Sequence, residues 1–107
     1  MSEVSAPSPQ DQIVNEAWVG DAVLTLYARL KILREDGRLG GEKSVRMTSN
    51  RFLSGIGEPT SVEAEVGRVY QREGLQAAFA WIEAHLIPLF DRQEGKRLKN
   101  SQSRHRR

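Results

Sequence analysis

Apolar residues recur at three- and four-residue steps from Ile13 to Leu30, through Val14, Ala17, Trp18, Leu24, Tyr27 and Ala28. That spacing keeps one face of a helix apolar and predicts a long amphipathic helix. Ser8-Pro9 supplies a cap and a first helical position, Gly20 is the lone breaker before about Arg34, and a glycine-rich loop follows from Glu35-Asp36-Gly37 through Gly40-Gly41. Val45, Met47, Phe52, Leu53 and Ile56 then mark a second helix over 42–56, which stops at Gly57-Glu58-Pro59. A third helix runs from a Thr60 or Ser61 cap to about Glu73, with Gly74 as its stop. A fourth starts at Leu75 and carries Ala78, Phe79, Ile82, Leu86, Leu89 and Phe90, with Pro88 kinking or ending its last turn. No segment alternates with the period of two that marks a strand. The expected fold is an all-α compact helical bundle.

Composition narrows the chemistry. A chain of 107 residues with 38% hydrophobic content supports one core. The expected layout is a disordered N-terminus over 1–8, a helical domain over 9–92 and a basic tail over 93–107. Without cysteine there is no thiolate site, so a bound metal must use oxygen ligands or the two histidines, which favours hard cations such as magnesium or manganese. His85 and His105 have no partners at ligand spacing and receive no role. Neither a signal peptide nor a membrane span is evident, and the expected location is the cytoplasm.

The net charge of +2 conceals an asymmetry. Residues 95–107 hold six of the sixteen Lys and Arg and none of the fourteen Asp and Glu, which leaves an acidic remainder. A basic end on an acidic body suits a tail that meets phosphate, although such runs are also commonly solvated ends.

Two carboxylates stand out of pattern. Asp21 shares a helical face with Val14, Ala17, Trp18 and Leu24, and Glu63 lies one turn before Val66 and Gly67. A carboxylate on an apolar stripe must be paired, protonated or metal-bound. Two helices presenting one each can place both at a single metal, and Gly20 and Gly67 suit a close crossing of those helices. The plainer alternative gives Asp21 a salt bridge with Arg29, Arg46 or Arg51, and Glu63 a capping box with Thr60.

The run Glu16-Ala17-Trp18-Val19-Gly20-Asp21-Ala22-Val23-Leu24 resembles the signature helix of ribonuclease III domains. Val62-Glu63-Ala64-Glu65-Val66-Gly67-Arg68-Val69-Tyr70, followed by Gly74-Leu75, is similar to the family's second element, a Glu-Ala-x-x-Gly-x-x-Tyr helix. Both elements fall in order over roughly residues 12–90, and the nearest likeness is to the Mini-ribonuclease III branch. Where fuller members carry further acids, this chain has Ala17 and Thr60, and its connection at Gly57-Glu58-Pro59 is short.

The resemblance implies a ribonuclease III type fold and a magnesium-dependent endoribonuclease, with manganese as a possible substitute. Asp21 and Glu63 would be its catalytic and metal-binding residues. It would act on double-stranded or structured RNA, ribosomal RNA maturation included. It also implies a two-fold homodimer formed around Val14, Ala17 and Trp18, although Trp18 equally suits ordinary core packing. The candidate RNA contacts are Lys43, Arg46 and Arg51, with Lys96, Arg97, Lys99, Arg104, Arg106 and Arg107 in the tail. The alternative function is a non-catalytic ribonuclease III-like domain serving as an RNA-binding structural or assembly factor.

Overall fold

A computed structural model describes residues 8–105, and side chains over residues 8–100. The described residues are all-helical, without a strand. The N-terminal stretch expected to be disordered falls largely outside them, as do Arg106 and Arg107.

Helix α1 spans Pro9–Asp36. Ser8 caps it by accepting a hydrogen bond from the Asp11 amide at 3.1 Å, with Pro9 in the first turn, where its missing N–H costs nothing. Gly37 ends it in the left-handed region at φ 73°, donating its amide to the Leu33 carbonyl.

The second predicted helix divides. Helix α2 covers Gly41–Thr48 and the single turn α3 covers Asn50–Leu53, with Ser49 extended between them. The Ser49 hydroxyl oxygen accepts the Phe52 amide at 3.1 Å and so restarts the chain in a new direction. The break turns Met47, Phe52 and Leu53 into the same core.

Helix α4 spans Pro59–Glu73, and its cap is Glu58, not Thr60 or Ser61. The longer Glu58 side chain accepts from the Thr60 and Ser61 amides at 3.2 and 2.8 Å, and these bonds hold its carboxyl below the usual range. Helix α5, Leu75–His85, follows Gly74, whose φ of 96° suits glycine.

Pro88 does not terminate the last helix. Leu86 closes α5, and Pro88 occupies the first turn of a separate helix α6, Ile87–His105. The basic segment expected as a tail is therefore helical as far as His105.

The core gathers Leu24 and Ala28 of α1, Met47, Leu53, Val66, Ala78, Ile82 and Leu86, all nearly or fully inaccessible to water. Edge-to-face pairs close its ends: Tyr27 with Phe79 at 5.2 Å and Phe52 with Phe90 at 5.6 Å between ring centres.

Candidate functional site

The α1–α4 crossing is built on the two glycines that the sequence singles out. A methyl group added to Gly20 would lie 1.7 Å from the Glu63 carbonyl oxygen, and one added to Gly67 would lie 2.0 Å from that of Glu16. Backbone packs on backbone here, with no room for any side chain. Gly20, Gly67 and Ala17 are buried at this contact. The inner face of α1 therefore runs through Ala17, Gly20, Leu24 and Ala28.

That register corrects one expectation from the apolar pattern. Asp21, Trp18 and Val14 do not point into the packed side: Asp21 is exposed, Trp18 is 81% accessible and Val14 is half open. Ala17 is buried within the chain itself, so it offers no surface to a second copy, whereas Val14 and Trp18 do. Gly20 sets the register because its lack of a side chain allows the closest approach, whereas the bulkier Trp18 is directed outward.

Asp21 nevertheless meets Glu63. Their carboxyl groups are close enough across the crossing for Asp21 to act on Glu63, with Asp21 at the surface and Glu63 half-buried. Burial, then the Asp21 carboxyl, then the more distant Glu58 charge push Glu63 up to about 7. Among the described residues no Lys or Arg forms an ion pair with either acid. The salt-bridge alternative for Asp21 fails there: Arg46 donates to Glu94 through Nε at 3.0 Å and Nη2 at 2.9 Å. The capping-box alternative for Glu63 fails because Glu58 holds the cap.

Two other acids near the crossing are occupied. Arg68, one residue past Gly67, donates to both oxygens of buried Glu16 at 3.2 and 3.3 Å and also to Glu65. Those bonds satisfy the charge that α4 would otherwise bury at the α1 face. The sequence carries a signal for this pair that periodicity overlooks: Glu16 lies one turn before Gly20 and Arg68 directly follows Gly67, so a crossing at the glycines brings them together. Among the described residues no cluster of three or more His, Asp or Glu side chains could hold a metal, so Asp21 and Glu63 stand as a two-carboxylate site.

Beside Asp21 runs an apolar cleft of about 550 Å³ lined by Trp18, Val19, Ala22, Leu26, Tyr70 and Leu75. The basic candidates lie elsewhere. Lys43, Arg46 and Arg97 line a cleft of about 620 Å³ between the α1–α2 loop, α2 and α6. Arg51, on α3, lines a neighbouring cleft of about 340 Å³ that shares Arg46 and Arg97. Lys96 and Lys99 are exposed on α6; Arg104 belongs to the same helix, its side chain outside the described set. His85 contacts Trp81, with ring centres 4.5 Å apart, and lies among no metal-binding group.

No described helix is long and apolar enough to cross a membrane. Comparison with protein-family models, curated proteins and solved structures returned no match, so the functional reading rests on the chain's own residues and geometry.

Proposed function

We propose that the chain is a metal-dependent endoribonuclease of ribonuclease III type, acting on double-stranded or structured RNA as a homodimer. The observation that carries this reading is the Asp21–Glu63 carboxyl pair, held by a backbone crossing and left without a basic partner. Partial burial, and after it the neighbouring Asp21 carboxyl, raise Glu63, so the site disfavours two uncompensated negative charges. A hard divalent cation compensates them, and carboxylate oxygens are the ligands that magnesium or manganese prefers.

Asp21 and Glu63 would hold the ion, and water and phosphate oxygens would complete the set. A magnesium ion bound there would supply activation of water for attack on a phosphodiester, together with charge stabilisation at the leaving oxygen. Asp21 faces solvent and can be approached directly by a phosphate backbone. Glu63, half-buried and raised by burial and by Asp21, holds a proton more readily than an ordinary carboxylate, and a bound cation would compete with that proton. The glycine crossing fixes the spacing of the two helices that bear the carboxylates, so the site is preorganised by backbone.

The homodimer is supported by the exposed apolar face of α1. Trp18 lines the cleft that Asp21 borders, Val14 is exposed one turn earlier on the same helix, and pairing there would cover both. A second reading, an RNA-binding assembly factor without catalysis, is favoured by the reduced acid set, since Ala17 and Thr60 contribute no ligand.

The test is incubation of the protein with long duplex RNA, with and without magnesium, beside Asp21→Asn and Glu63→Gln. Metal-dependent cutting lost in both variants supports the enzyme. Binding without cutting by any version refutes it and leaves the assembly-factor reading.

A further inference from the structure

The two basic clefts adjoin. The larger is lined by Arg38, Lys43, Arg46 and Arg97, and the smaller by Arg46, Arg51 and Arg97, so Arg46 and Arg97 form a common wall. Five cationic side chains from the α1–α2 loop, α2, α3 and α6 thus border one divided groove. Three carboxylates share it, and two of them are engaged: Asp36 accepts from Lys43 at 3.2 Å, and Glu94 accepts from Arg46. Glu42 is the third, lining the larger cleft. Arg38, Arg51 and Arg97 are exposed and form no ion pair among the described residues. The internal pairs fix Lys43 and Arg46 in the walls while these three guanidinium groups stay available.

We infer that this groove seats the sugar–phosphate backbone of RNA, with Arg38, Arg97 and Arg51 as direct phosphate contacts at a site separate from the carboxylate pair. The inference rests on the RNA half of the proposed function and is independent of catalysis. Guanidinium forks match phosphate oxygens in geometry and charge, and spacing along a groove suits successive phosphates better than a single small anion. The polar side chains of Ser49 and Gln93 line the smaller cleft and can reach ribose hydroxyls. Asp36 lies at the groove and Asp21 fifteen residues earlier on α1, a separation of roughly 22 Å along the helix axis. Changes at one end therefore act independently of the other.

The test is fluorescence anisotropy of labelled duplex RNA in metal-free buffer over a salt series, for the wild type, Arg38→Gln, Arg97→Gln and the control Arg72→Gln. Circular dichroism checks that each variant is folded. Arg38→Gln and Arg97→Gln each weaken binding several-fold and reduce the slope of log K against log salt by about one, while Arg72→Gln, exposed on α4 and lining neither cleft, binds as the wild type does. Unchanged affinity and slope in both groove variants overturn the groove, and the nuclease reading then stands or falls on metal-dependent cutting alone. Weakened binding in these variants, in a protein that never cuts RNA, upholds the groove and overturns the nuclease. Equal affinity for a DNA duplex of the same sequence overturns the ribose part of the inference.

Discussion

Replacing Gly20 by alanine is the sharpest perturbation of the crossing. The new methyl carbon would lie 1.7 Å from the Glu63 carbonyl oxygen, whereas ordinary contact begins at 3.4 Å, so α1 and α4 must part by about 1.7 Å. The obstacle is main chain on both sides, and no rotamer change relieves it. A gap of 0.5–1 Å already forfeits a quarter to a half of a dispersion contact. Overpacking ordinarily costs about 1–3 kcal/mol, and the rigid partner places this case at the upper end or slightly above. Alanine returns about 1 kcal/mol through its helix propensity, which leaves a net loss of about 2–3 kcal/mol. Gly95→Ala is the control, because it lies in α6 with nothing within 4 Å of the added carbon. The same chemical change there stabilises by up to about 1 kcal/mol. Urea and thermal unfolding followed by circular dichroism separate the two signs, with a melting point about 10–20 °C lower for Gly20→Ala. Gly20→Ala as stable as the wild type, or stabilised like Gly95→Ala, would refute the backbone crossing and with it the preorganisation of Asp21 and Glu63.

Two further outcomes follow from the ion pairs. Arg46 holds the Glu94 carboxyl below the usual range, so the stability from this pair is present above the unfolded carboxylate value of 4.5 and is lost as pH falls through the lower folded value. Glu94→Gln removes about 1 kcal/mol at neutral pH and flattens the acid side of a stability–pH profile, as melting temperatures across pH will show. Arg68→Met leaves buried Glu16 without its partner and costs about 2–3 kcal/mol in urea unfolding, and adding Glu16→Gln recovers most of that loss.

Much of this fold was legible in the chain because its signals are local. Ser8-Pro9 and Gly74 each bear on one turn of backbone and bound a helix where expected, whereas α1 runs through Glu35 and Asp36, expected in the loop, and stops at Gly37. The register of α1 was not legible, because apolar residues cover more than one of its faces and periodicity cannot rank them. Burial was decided by Gly20 against Gly67, a contact between segments far apart in sequence. The break at Ser49 and the cap at Glu58 were hidden for a related reason: both depend on how the following segment must turn to reach the core. At the candidate site, the pairing of Asp21 with Glu63 could be anticipated from their glycine neighbours, whereas the engagement of Arg46 by Glu94 links α2 to α6 and left no trace in local spacing.

The two tryptophans also equip the chain with optical reporters of different regions. Trp18 stands 81% open on α1, whereas Trp81 packs partly against the core and contacts the His85 ring. Emission from Trp18 will be red-shifted and readily quenched by a soluble quencher, and covering that face with a second copy will shift it to the blue and shield it. Trp81, by contrast, follows the integrity of α5. Association and unfolding can therefore be followed separately in one unlabelled sample.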